Sequence, residues 1–213
     1  MPPKSKFTRE EIIKTALDLT REKGIEAVTA RELGKRLNSS SRPIFTVFTN
    51  MEEVQLEIYN EAKKLLRSYF QTSQQFSPEF KKIGMMMIQF AIDEPKLFQL
   101  LFMKENEETK NYDQLIKGLG ADLDYCILII KRDYGLDDEM AKKLFDQLWL
   151  HAYGIGVLCA TKMCSFTEKE ISQMLSEVFT GMLYLIQSNN LEIKHQKSKN
   201  QGFKVTDIPV KVE

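Results

Sequence analysis

The 213 residues predict an all-α protein: an N-terminal three-helix unit, then a larger helical bundle. Three observations lead there. Apolar residues recur at helical spacing along almost the whole chain, and the alternation expected of a strand is scarce. Four capping boxes mark helix starts: Thr8-x-x-Glu11, Thr29-x-x-Glu32, Asn50-x-x-Glu53 and Thr167-x-x-Glu170. In each, the first side chain can accept from an orphan N–H while the glutamate reaches back. Finally, residues 38–50, NSSSRPIFTVFTN, crowd three serines, an arginine and a proline into one turn ahead of Ile44, Phe45, Val47 and Phe48.

Taken in order, a first helix spans about 8–23, with Ile12, Ile13, Ala16, Leu17 and Thr20 on one face. Gly24 ends it, as a residue free to adopt positive φ. Short helices follow over about 30–37 and 41–48. Gly34 lies where these two meet, and a small residue there lets the backbones approach. Asn38 suits the turn because asparagine tolerates the left-handed conformation. Leu33, Leu37, Ile44 and Phe48 supply an apolar seam to the first helix. Three helices of unequal length, the last two joined by a tight turn, describe a helix-turn-helix.

A long helix over about 51–73 carries Val54, Ile58, Ala62, Leu65, Leu66 and Tyr69 in register. Ser77-Pro78 places proline in the first turn of a helix over 78–93. Further helices span 96–104, 111–134, 138–163 behind the cap Asp137, and 168–188. The expected domains are therefore a head over 1–50, a helical body over 51–188, and a loose polar tail over 189–213.

Composition narrows the class. With 43% hydrophobic and 28% charged residues the profile is that of an ordinary soluble chain. No apolar run approaches the roughly 20 residues of a membrane span, so no membrane association is expected. The stretch MPPKSKFTREE lacks a secretory apolar segment. Cys126, Cys159 and Cys164 show no zinc-type pairing and fit a reducing compartment, so a cytoplasmic location is expected. The zero net charge hides an asymmetry. Residues 1–50 hold ten Lys or Arg against six acids, a net of +4, leaving −4 for the rest. A basic head on an acidic body points to a polyanion at one end.

The crowded turn supplies the chemistry. Ser39, Ser40 or Ser41 can cap the third helix, and Pro43 fits its first turn because its missing N–H would be unpaired there anyway. The expected product is a positively polarised helix end bearing hydroxyls and Arg42. Such an end suits phosphate oxygens, and Arg42 can fork onto guanine in a major groove. A well-capped helix whose serines only face water accounts for the same residues.

Residues 8–54, from TREEIIKTALDLTREKGIEAVTARELGKRLN to SSSRPIFTVFTNMEEV, resemble the DNA-binding domain of the TetR family of bacterial transcriptional regulators. The resemblance implies a long linking helix and an all-helical regulatory domain that dimerises through its last two helices and holds a small-molecule pocket. Carried over by position, Thr29 would cap the second helix and touch a phosphate, with Arg31 nearby. Ser40, Ser41, Arg42, Pro43 and Thr46 would face the groove. Phe45 stands where the family usually has tyrosine, and Met51 where it usually has lysine, each removing a phosphate contact. A shallower salt dependence is the expected result. Lys4 and Lys6, ahead of the first helix, can compensate by reaching a neighbouring groove or phosphate.

In the body, EPKLFQLLFM (94–103) resembles the corresponding helix of some TetR-type regulatory domains, and its apolar residues wrap most of the helix. Three methionines in GMMMIQFAI (84–92) offer adaptable cavity lining. The candidate ligand pocket is Met86, Phe90, Phe98, Phe102, Tyr125, Trp149 and Tyr153, with His151 as a polar neighbour; core packing is the better account of any one of them, and a pocket among them the better account of the group. Helices 138–163 and 168–188, the first with Gly154, Gly156 and Ala160 for close approach, are the candidate homodimer contact.

Two histidines, His151 and His195, have no metal-type spacing, and no Gly-rich phosphate loop exists, so neither an enzyme nor a metal or cofactor is expected. A redox sensor would rest on Cys159 and Cys164, which five helical residues turn apart. The sequence thus leads to a homodimeric repressor on a near-palindromic double-stranded DNA operator, released by a small apolar or amphipathic ligand. Control by a protein partner or by cysteine oxidation is the alternative.

Overall fold

A computed structural model describes residues 6–104 and 111–196, with side chains described as far as residue 188 of the last helix. Among them are nine α-helices and no strand. Helix α1 (Arg9–Lys23) opens as the sequence dictates. The Glu11 N–H donates to Thr8 Oγ1 at 3.1 Å, and the Thr8 N–H donates to Glu11 at 2.8 Å. The helix buries Ile12, Ala16 and Leu19 completely, the isoleucine and leucine each worth roughly 1.5–3 kcal/mol. At Gly24, φ of 87° carries the chain out.

A 3-10 turn (Ile25–Ala27) leads to α2 (Ala30–Arg36), capped by Thr29. The α2 exit follows expectation: Asn38 sits at φ 49°, and the Ser39 N–H returns to the Gly34 carbonyl at 2.9 Å. A Cβ on Gly34 would lie 2.8 Å from the Ser40 carbonyl carbon and 2.9 Å from the Ser41 nitrogen. Only glycine fits.

The third helix expected over 41–48 is not an α-helix. Only Ile44–Thr46 is helical, as one 3-10 turn, and none of the three serine side chains caps it. Two facts account for this. Ile44 N–H bonds Ser41 O and Thr46 N–H bonds Pro43 O, the tighter three-residue pattern, and the Thr46 hydroxyl donates to Pro43 O at 2.6 Å. Asn50 then already caps the next helix, leaving no length for a second turn. The apolar seam survives this change: Leu33 and Ile44 are fully buried and Phe48 nearly so.

The body begins with α3 (Met51–Gln71), whose start is fixed by the Glu53 N–H donating to Asn50 Oδ1 at 2.9 Å. A 3-10 turn (Thr72–Gln75) separates it from α4 (Glu79–Asp93). Pro78 occupies the cap of α4 rather than its first turn, joined to Ser77 by a cis bond. Helix α5 (Pro95–Phe102) starts on proline. The single helix expected over 111–134 is two, α6 (Tyr112–Lys117) and α7 (Ala121–Tyr134). Gly120, at φ 55° and ψ −129°, breaks it in a conformation that side chains disfavour.

Helix α8 (Asp138–Ala160) is capped by Asp137, and α9 (Glu168–Gln196) runs past the expected end at residue 188. The rest of the predicted tail, 197–213, lies outside the described residues. Helix α4 packs on α3, α8 and α9, while α1 rests on α3 and α5. Arg21 forks onto Glu94 there, with Nε to Oε2 and Nη2 to Oε1 both at 2.9 Å.

Candidate functional site

The crowded turn is at the surface. Thr29, Arg31, Ser40, Arg42, Phe45 and Thr46 are exposed, and Ser39, Ser41 and Pro43 are half-buried beside them. Lys6 joins this group by donating from Nζ to Ser39 Oγ at 3.2 Å, so the residue ahead of α1 is brought against the turn. Lys4 lies outside the described residues. Thr29 Oγ1 accepts from the Glu32 N–H at 3.2 Å and keeps its place at the start of α2.

The basic residues of the head fall into two groups. Arg9 reaches Glu53 at 2.9 Å and Glu57 at 2.8 Å and lies over the Phe48 ring at 4.3 Å. Arg36 holds Glu22 through a bond at 2.9 Å, Arg21 holds Glu94, and Lys23 meets Glu32 at 3.6 Å. The guanidinium of Arg36 keeps the Glu22 carboxyl below its ordinary range. The Thr49 N–H, then Arg9, does the same for Glu53. Arg9 and Arg21 take acids from outside residues 1–50 and so offset part of the +4, whereas Arg36 and Lys23 pair with acids already counted in it. Among the described residues no acid pairs with Arg31, Lys35 or Arg42. Lys35 was missed by the sequence reading. It stands one turn from Arg31 on α2, so the two share a face.

An exposed turn with unpaired cations, mounted on a rigid three-element head, suits a DNA backbone and groove. Residues 12–58 match the family model of bacterial regulatory proteins, tetR family. The head is a TetR-family DNA-binding domain. The chain thus carries a TetR-type DNA-binding domain, with a helical region behind that head. No curated protein matches the chain. Lys6 lies ahead of the matched segment, and the crowded turn lies inside it.

The TetR-type head is followed by a cavity of about 300 Å³ in the body. Phe102 and Trp149 line it, as the sequence suggested. The other five candidates do not. Phe90 is fully buried edge-on against Tyr69, and Phe98 is fully buried where Gly156 leaves room for its ring, 2.8 Å from a Cβ built there. Tyr153 stacks on Trp149 at 5.2 Å and donates its hydroxyl to Phe102 O, forming a second layer behind the wall. Tyr125 is 38% exposed and donates to the buried Glu79, which also takes Arg132. Met86 sits half-buried one residue from Met87, which is the methionine that lines the space. Periodicity marked Phe90 and Phe98 as inward-facing, and inward here means packed.

The cavity wall is instead Phe80, Met87, Phe145, Leu148 and Phe179 around Trp149. One face of α3 completes it with Tyr59, Lys63, Leu66, Arg67 and Phe70. That spacing was visible in the sequence, where two cations interrupt an apolar stripe. Burial pushes the Cys126 thiol up to about 12, so it stays neutral. Cys159 is buried with its thiol raised, and Cys164 is exposed beyond the end of α8 rather than on it, as the redox spacing had assumed. His151 Nε2 is buried with no hydrogen-bond partner. No helix among the described residues is long and apolar enough to cross a membrane.

Proposed function

We propose that the protein is a homodimeric, one-component repressor that occupies a near-palindromic operator and leaves it when a small apolar or amphipathic ligand enters the cavity. The observation that carries this reading is the shared helix: α3 starts at the Asn50 cap of the head and contributes Tyr59 to Phe70 of the cavity wall. A ligand that favours one placement of α3 therefore favours one placement of the head. Control of this kind needs different affinities for two states rather than tight binding alone. The Arg21–Glu94 fork gives a second connection, since α5 carries Phe102 at the cavity.

On DNA, Arg42 reads a base edge, Ser40, Ser41, Pro43 and Thr46 approach the groove, and Thr29, Arg31, Ser39 and Lys6 hold phosphates. The exposed ring of Phe45 supplies apolar contact in place of a phenolic hydroxyl. Dimerisation through α8 and α9 is supported by their outer faces. Leu150, Tyr184 and Leu185 are 43%, 71% and 53% exposed, and a Cβ on Gly154 or Gly181 would meet nothing within 4 Å. Gly156 is used inside the subunit by Phe98, so only Gly154 of that expected pair remains for a partner helix.

Selection of bound duplexes from a random pool at two salt concentrations, with the mass in solution measured alongside, tests the reading. The expected result is an inverted repeat with half-sites about one helical turn apart, bound by a dimer. A monomer on an unrepeated site would sink it.

A further inference from the structure

We infer that the ligand this cavity takes is an amphipathic anion, its apolar body against Phe80, Met87, Phe145 and Trp149 and its charge at a cationic rim. The inference rests on the ligand-responsive reading above. The wall fixes the apolar part, and the rim fixes the sign. Among the described residues, Lys63, Arg67, Lys81 and Lys104 border the space, against one carboxylate, Asp122. That carboxylate is already held by Arg67 at 3.3 Å. The Cys126 thiol at the wall is kept neutral by burial.

Lys63 lies over the Tyr59 ring at 5.2 Å, and among the described residues no acid pairs with Lys63, Lys81 or Lys104. These three lysines thus border a largely apolar space with no counter-charge among the described residues. Lysine stems often coat apolar surface for packing alone. Three unpaired lysines, from α3, from α4 and from just past α5, around one space exceed that need. A cationic ligand would meet repulsion there, and a neutral one would leave the amines as they are. A carboxylate accepts charge-assisted hydrogen bonds that neither competitor can make. Lys63 and Arg67 stand one turn apart on α3, so the anionic group would engage the helix that leads to the head.

Trp149 is the sole tryptophan and lies on the cavity wall, so its emission reports occupancy directly. The full chain is titrated with dodecanoate, dodecanol and dodecylammonium, each below its aggregation threshold, while operator affinity is followed in parallel. Dodecanoate is expected to shift Trp149 emission at a concentration at least about tenfold below dodecanol, with dodecylammonium weakest. The double variant Lys63→Gln, Lys81→Gln should narrow the gap between dodecanoate and dodecanol, with an unchanged thermal unfolding midpoint as the check on the fold.

Equal or tighter binding of the alcohol or the amine overturns the anion assignment, as does silence from all three probes or a gap that the double variant leaves unchanged. The two readings separate cleanly. Discriminating dodecanoate binding that leaves operator affinity untouched supports the anion and sinks ligand-controlled repression. Operator release by dodecanol and dodecanoate alike does the reverse.

Discussion

The head and the body use the same kind of residue in opposite ways. In the head the apolar side chains are spent on closure: Ile12, Leu33 and Ile44 are wholly buried, and Gly34 has no space even for a methyl group. Its charges are tied across elements, as Arg9 binds both Glu53 and Glu57 on α3. In the body, aromatic rings surround about 300 Å³ of space, and the segment over it is cut at Gly120. Rigidity belongs where a fixed shape must meet DNA. Slack belongs where a shape must change.

The sharpest attempt to break that contrast places one methyl group in each region. Gly34→Ala would force the Ser40 backbone aside and cost about 1–3 kcal/mol of head stability, with most operator affinity lost while Trp149 emission keeps its native position. Gly156→Ala makes an equally short contact, but with the end of the Phe98 ring, which can move toward Phe102 at 4.9 Å; about 1 kcal/mol is expected. Thermal unfolding and DNA titration of both variants decide it. Equal losses would mean that the body is as tightly set as the head.

Next in size, Arg42→Ala should weaken specific binding by roughly 1–3 kcal/mol and relax selectivity at one base position. A uniform loss over all sequences would make Arg42 a phosphate contact instead. Glu94→Gln should leave the free operator affinity nearly unchanged, alter stability by no more than about 1 kcal/mol, and reduce the ligand-induced change in operator affinity. An unaltered ligand response would show that α3 alone connects the two regions.

Two smaller effects follow from charge. Glu53 and Glu22 are held below their ordinary carboxyl values in the folded head. Their contribution is therefore present above about pH 4.5 and disappears as pH falls through the lowered folded values. Urea unfolding followed from pH 6 to pH 3 should show the decline, and Glu53→Gln should flatten it. Smallest of all, Met51→Lys should steepen the slope of log affinity against log salt by about 0.9, one phosphate's worth. An unchanged slope would place residue 51 away from the backbone of the duplex.

How much of this was legible in the sequence depends on the kind of information. Backbone signals were read well: Thr8, Asn50, Asp137 and Thr167 each cap a helix, and Asn38 adopts the positive φ that its type suggested. The same reading passed over Gly118 and Gly120, because the apolar pattern on either side continued in phase and masked the break. It drew a helix at 41–48 because serine, proline and spacing describe a helix start, although three-residue bonds and the Asn50 cap allowed only a turn. The cavity was the least legible feature. Helical spacing tells which side chains point inward, as for Phe90 and Phe98, but whether an inward ring meets another atom or empty space depends on chain segments far away.

Helix α3 runs unbroken from Met51 to Gln71, a length of about 30 Å at the ordinary rise per residue. Under the proposed control it would act as a lever whose load end is the head and whose effort arm borders the cavity. A tilt of about 5° over that length displaces the far end by roughly 2.5 Å. With two such arms moving in a symmetric pair the heads would part by about twice that, enough to take both out of step with grooves about 34 Å apart. A ligand no larger than the cavity could thus be felt across the full width of a DNA site.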